Sequence, residues 1–216
     1  YDGLADFTPI AMLVTVPNVL VARASLPAQT FPAFVRLARQ QPGRLTYGSS
    51  GQGSIGHLAM EQLRQAADLE LVHVPYKGAA PVMIDVLAGT LDAALVNLSA
   101  ALPHIKSGKL RAIAMATQRR NGTLPDLETI DEAGVRGYDA GTWWGLFGPA
   151  RLPPPIVAAI YDGVAKVLAD ADLRVRLFQQ QGADVTLAGP DALAAHLHKE
   201  SAELVPLIRK LGLRME

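Results

Sequence analysis

Cysteine is absent from the 216 residues, so a zinc–thiolate site and a thiol nucleophile are excluded outright. Net charge is also absent: 20 basic and 20 acidic residues cancel. A nucleic-acid binder carries a basic excess, so no nucleic-acid partner is expected. A balanced charge does not oppose a local anion site made from backbone N–H groups. No apolar run approaches the ~18–20 residues of a membrane span, so no direct membrane insertion is expected. Tyr1-Asp2-Gly3 is not the charged start of a signal peptide. The chain reads as a mature intracellular protein or as a fragment whose export signal lies upstream. What is plentiful is apolar material. Half of the residues are hydrophobic, enough for a packed core in one large domain or two small ones.

Short β-rich runs alternate with helical ones. Leu45-Thr46-Tyr47 precedes a Gly/Ser loop and a helix over about 54–66. Leu71 to Val74 precedes Tyr76-Lys77-Gly78 and a helix over about 80–88, ended by Gly89. Leu91 to Val96 leads into a helix over about 100–106, and Leu110 to Ala116 is the next strand. This β-α-β-α-β-α-β order predicts a largely parallel sheet covered by helices, an α/β fold. An earlier helix is capped by Thr30, with Phe31, Phe34, Val35 and Ala38 on its apolar face. Phe7 to Val21 reads as one or two strands broken near Pro17-Asn18. Beyond residue 117 the texture is polar and turn-rich until the strand Trp143 to Gly148. Helices over 154–168 and 173–181, a short strand over 184–187 and a last helix from Pro190 follow. These C-terminal helices have few strands to cover, so part of a second sheet is expected from outside this chain.

The stretch Gly48-Ser49-Ser50-Gly51-Gln52-Gly53-Ser54-Ile55-Gly56-His57 carries the most chemistry. Gly51, Gly53 and Gly56 fit the dinucleotide pattern G-x-G-x-x-G. The fit is poor in context: Gly48-Ser49-Ser50 intervene after the strand, and the second strand ends in Val74-Pro75-Tyr76-Lys77, with no acid for a ribose. Gly48-Ser49-Ser50-Gly51-Gln52 misses the nucleophile elbow G-x-S-x-G by its last residue. What remains is a small-residue loop delivered to a helix N-terminus, where free N–H groups and the helix dipole attract anions. Gly51 and Gly53 allow close approach, and Ser49, Ser50 and Ser54 add hydroxyls. Ligands of open α/β sheets bind at these carboxyl ends of strands. The plainer alternative is a helix cap with a tight turn.

A second loop, Val74-Pro75-Tyr76-Lys77-Gly78-Ala79, also ends at a helix N-terminus, with Pro81 in the first turn. Two such N-termini facing one crevice make a carboxylate site without a buried arginine. Lys77 is a rim charge or a solvated surface lysine. Tyr76 lines the cleft or packs over the sheet edge. Asn97, ending the third strand, faces the ligand or serves as a turn residue. His57 and Glu61 share a helix face but lack a third metal ligand, and His196 and Glu200 read as a solvated face. No metal, no cofactor and no catalytic residue are expected.

Several motifs together carry a resemblance: Tyr47 to Ser54, His57-Leu58, Val74 to Gly78, Leu102 to Ala112, Leu124 to Thr129 with Glu132 to Val135, and Trp143 to Pro149. In this order and spacing they resemble the Bug-type receptors of tripartite tricarboxylate transporters, over essentially the whole chain. The resemblance implies a periplasmic-binding-protein-like fold, type II, of the two-lobed Venus flytrap kind. It implies a complete middle lobe, 18–141, and part of the other lobe, 1–17 with 142–216. Thr142 and Trp143 then sit at a crossover and face the cleft, or pack in the hinge. Implied partners are a small carboxylate ligand and the transporter's membrane subunits. The implied location is the periplasm, with a signal peptide upstream. Receptors of this kind begin with a further half-domain bearing a Pro/Gly-rich loop, which this sequence lacks. Many also carry an acid before the third-strand asparagine, where this chain has Val96, which favours a ligand without an amine. The competing expectation is an α/β enzyme, either an NADP-dependent oxidoreductase or a serine hydrolase using Ser50.

Overall fold

The computed structural model describes residues 2–213. The run Phe7 to Arg23 divides at Pro17, which has no N–H to give a ladder. It yields β1 (Phe7–Val16) and β2 (Asn18–Arg23), which belong to different sheets. Helix α1 (Phe31–Gln40) follows, with Thr30 Oγ1 accepting from the Ala33 N–H. The chain then alternates through β3 (Thr46–Ser49), α2 (Ile55–Ala67), β4 (Val72–Pro75), α3 (Ala79–Ala88), β5 (Ala93–Asn97), α4 (Leu98–Lys106) and β6 (Leu110–Met115). After a long irregular stretch come β7 (Thr142–Pro149), α5 (Pro154–Leu168), α6 (Ala171–Gln181), β8 (Asp184–Ala188) and α7 (Pro190–Lys210).

The chain forms two compact units, and it passes between them after Val16, after Gly141 and after Arg209. In the unit running from Pro17 to Gly141 the strand order is β4-β3-β5-β2-β6. Strand β3 pairs in parallel with β4 and β5, while β2 runs antiparallel between β5 and β6. The alternation of strands and helices gives the parallel strands. The antiparallel one is β2, which enters this sheet from the preceding strand rather than from a helix. Alternate residues of β2 and β5 bury on opposite faces. Leu20, Ala22, Ala93 and Leu95 join Phe31, Phe34, Met60 and Leu63 under α1 and α2. Val19, Val21 and Ala94 join Val82, Val86, Leu98 and Leu102 under α3 and α4. The result is a helix–sheet–helix sandwich.

The other unit has a three-stranded antiparallel sheet, β7-β1-β8. Ile10 and Ala11 of β1 pack on Val157 of α5, while Val14 and Val16 pack with Ala183. Val16 pairs with Thr142 at the end of this sheet.

Candidate functional site at the ends of β3, β4 and β5

Because β3, β4 and β5 are parallel neighbours, their carboxyl ends share one edge of the sheet. The Ser49–Ser54 loop, the Tyr76–Ala79 loop and Asn97 therefore stand side by side in the middle unit. The two loops are tied together. The Tyr76 N–H donates to the Ser49 carbonyl at 2.9 Å, and the Gly78 N–H donates to the Ser50 carbonyl at 3.1 Å. Gly48 permits the close packing of α3: a Cβ there would lie 2.5 Å from Leu91 Cδ1 and 2.9 Å from Val82 Cγ1.

Within the first loop most polar groups already have partners. Ser54 caps α2, accepting from the His57 N–H at 3.4 Å and donating to the Gly51 carbonyl at 2.7 Å. Ser49 is buried, with its hydroxyl 2.6 Å from His73 Nε2 and 3.0 Å from the Gly51 carbonyl. Gly53 has φ +74°, and its N–H donates to His57 Nδ1 at 3.0 Å. Ser50 differs: it is exposed, and its hydroxyl makes no hydrogen bond among the described residues. The N–H groups of Ile55 and Gly56 in α2, and of Ala79 and Ala80 in α3, are those that a helix start leaves without an intrahelical acceptor. Their partial positive charge would favour an anion placed at this edge.

Beneath the loop lies a cluster of titratable groups. The His73 ring stacks on His57 with centroids 4.0 Å apart and on Tyr47 at 4.9 Å. The Tyr47 hydroxyl donates to Glu61 Oε1 at 2.5 Å, and Arg64 Nη1 lies 2.6 Å from the same oxygen. Burial holds the His57 ring below its ordinary value. Burial, reinforced by His57, pushes His73 down to about 4. Burial opposes the Glu61 charge, but hydrogen bonds from Tyr47 and Arg64 prevail and keep its carboxyl below the ordinary range. His73 carried no signal in the sequence beyond a polar residue in an apolar strand. The His57–Glu61 spacing was visible, but the carboxylate turns to Tyr47 and Arg64.

In the second loop, the Tyr76 ring packs against the apolar cluster under α3, and its hydroxyl donates to Asp85 Oδ2 at 2.5 Å. That hydrogen bond raises the phenol above its ordinary value. Tyr76 is thus a wall of the sheet edge that shapes its loop. Lys77 is exposed and makes no ion pair among the described residues. Asn97 Nδ2 donates to Asn18 Oδ1 at 3.0 Å, and Asn18 Nδ2 donates to the Ala140 carbonyl at 2.6 Å. Buried Asn18 escaped notice because the adjacent Pro17 reads simply as a strand break.

Thr142 and Trp143 belong to the other unit, at the start of β7. The Trp143 indole N–H lies 3.2 Å from Glu200 Oε2, and its ring meets His196 edge-on at 5.1 Å. The expectation of a solvated His196–Glu200 face is therefore corrected. An i, i+4 pair on α7 reads as surface until a tryptophan from another element covers it. Among the described residues no group of three metal-ligating side chains occurs, and no helix is long and apolar enough to cross a membrane.

Residues 1–213 match the family model described as tripartite tricarboxylate transporter family receptor. The chain belongs to that receptor family. BugT of Bordetella pertussis is 30% identical over 218 residues, covering 100% of this chain and 66% of BugT. The R. palustris protein Rpa4515, solved with adipate, is 34% identical with a TM-score of 0.88, covering 98% of this chain and 71% of that one. MatC from Rhodopseudomonas palustris, solved with malate, is 30% identical with a TM-score of 0.81, covering 91% of this chain and 68% of that one. The fold is thus α/β and periplasmic-binding-protein-like. The chain spans less than two thirds of the length of the first curated relatives it matches.

Proposed function

We propose that this receptor-family member binds a small carboxylate without transforming it, and hands it in the periplasm to the membrane subunits of a tripartite tricarboxylate-type transporter. The observation that carries the reading is local. Two helix N-termini follow adjacent parallel strands, with the Ser50 hydroxyl on one loop and Lys77 on the other, both unpartnered among the described residues. The adipate and malate held by the two R. palustris relatives support a dicarboxylate. Neither compound carries an amine, in keeping with Val96 where an acid would be needed to meet one. The ligand residues proposed are Ser50, Gly51, Gly53, Lys77 and Ala79, with Ser49, Ser54, Tyr76 and Gly78 holding the loops in place. Asn97 remains a proposed ligand residue of the middle unit, and Thr142 and Trp143 remain proposed ligand residues at the start of β7 in the other unit. The assignment of 18–141 as one lobe and of 1–17 with 142–216 as part of the other likewise remains a proposal.

The enzyme alternatives find little support. Among the described residues Ser50 has no base in hydrogen-bond reach, and the His57 Nδ1 lone pair is occupied by Gly53. The Ser49–His73 pair is close, but Ser49 is buried and no carboxylate orients His73 among the described residues. The test is incubation of the chain with adipate and malate, read by calorimetry and by product analysis. Saturable binding with intact ligand is expected. Turnover of either compound, or binding of NADP in preference to both, would refute the reading.

A further inference from the structure

The imidazole pair under the Gly/Ser loop contacts two of its residues, Ser49 and Gly53. Gly53 N–H donates to His57 Nδ1, so that nitrogen is the unprotonated one and the neutral ring carries its hydrogen on Nε2. The next proton to arrive must land on Nδ1. It would set one N–H donor against another and release the Gly53 amide. The neighbouring loop residue is held from the same stack, because His73 Nε2 contacts the Ser49 hydroxyl, which also accepts from the Gly51 N–H at 3.3 Å. Two stacked imidazoles with centroids 4.0 Å apart resist a shared positive charge.

We propose that His57 is a positioning residue for the ligand loop that works only as the neutral imidazole, so that its protonation unlatches Gly53 and weakens carboxylate capture. Helix α2 presents Glu61, which favours the protonated ring, and Arg64, which opposes it. Strand β4 presents His73, and β3 presents Tyr47, whose hydroxyl is committed to Glu61. Tyr138 reaches α2 as well, but its hydroxyl donates to the Ala59 carbonyl. Glu61 is the carboxylate that favours the protonated ring, and its Oε1 is already shared by Tyr47 and Arg64. Burial further disfavours the charged ring. The latch is therefore closed near neutral pH and opens on acidification.

The functional half of this inference rests on the carboxylate-receptor reading; the structural half does not. Two arms keep them separate. In the unliganded wild-type chain, a pH titration by nuclear magnetic resonance follows the Gly53 amide and the His57 ring carbons together. Both should move with one midpoint. A Gly53 amide that ignores the His57 midpoint would overturn the latch, whatever binds. In the second arm, adipate and malate affinities are measured from neutral to acid pH for wild type, His57→Asn and His57→Phe. Asparagine places a non-titrating acceptor where Nδ1 stood. Wild type should lose about tenfold in affinity per pH unit below the His57 midpoint, in excess of any loss in His57→Asn. His57→Phe, with no acceptor, should bind more weakly at every pH. An acid limb equally steep in wild type and His57→Asn would assign the loss to the ligand's own carboxyls and refute the coupling. Absence of binding at neutral pH would count against the receptor reading, while the first arm would still decide the latch.

Discussion

Replacing Gly53 by alanine tests a conformational requirement of the loop. The residue has φ +74°, and a Cβ added there meets nothing within 4 Å. The change therefore introduces backbone strain without a clash. Holding a non-glycine residue in the left-handed region costs about 1–2 kcal/mol. That cost has two places to appear. If the loop keeps its native geometry, the strain is subtracted from the stability of the unliganded chain. If the loop relaxes, stability is spared, and ligand binding must then drive the loop back. The two losses, in unfolding free energy and in binding free energy, should sum to about 1–2 kcal/mol. Should all of it fall on binding, affinity for adipate or malate drops about 5- to 30-fold. Gly53→Val should lose more, because a β-branched side chain tolerates positive φ least. Denaturant unfolding and calorimetry on the same preparations measure both quantities. Wild-type stability together with wild-type affinity in Gly53→Ala would refute the argument that this φ is required.

Ser50→Ala removes a hydroxyl with no partner among the described residues, so it should weaken carboxylate binding by about 1–2 kcal/mol and leave unfolding unchanged; a loss of stability instead would mark Ser50 as structural. Gly48→Ala forces a Cβ to 2.5 Å from Leu91 and 2.9 Å from Val82, and should destabilise the middle unit by about 1–3 kcal/mol, read by urea unfolding. The pH dependence of stability follows from the two buried rings. Both titrate below their ordinary value of 6.5, so the unfolded chain binds more protons than the folded one in acid. Stability should be full above about pH 6.5 and fall as the pH drops toward about 4. The fall should be smaller in His73→Gln, and an equal fall in both proteins would point to other groups.

Much of the fold was legible because local rules and tertiary outcome agree. Thr30, Ser54 and Gly89 mark helix ends in the sequence and occupy those places in the structure. Apolar runs without alternation fit strands covered on both faces. The antiparallel insertion of β2 was not legible, since no local pattern specifies which neighbours a strand takes. The two loops could be found because glycine, serine and helix starts cluster within a few residues. Their support was hidden for the opposite reason. His73 lies 24 residues from Ser49, and only the parallel pairing of β3 with β4 brings them together. Trp143 covering His196 and Glu200 is likewise a contact made across more than 50 residues of chain.

The proposed site places the carboxylate at the ends of β3 and β4. The direct measurement is titration of adipate and malate into the isotopically labelled chain, following every backbone amide. Resonance methods register weak binding as readily as tight binding, so affinity does not limit the test. Saturable shifts concentrated at Ser50, Gly51, Ile55, Gly56, Lys77 and Ala79 are predicted, with one dissociation constant shared among them. Saturable shifts elsewhere with these amides unmoved, or no saturable shift with either dicarboxylate, would contradict the account.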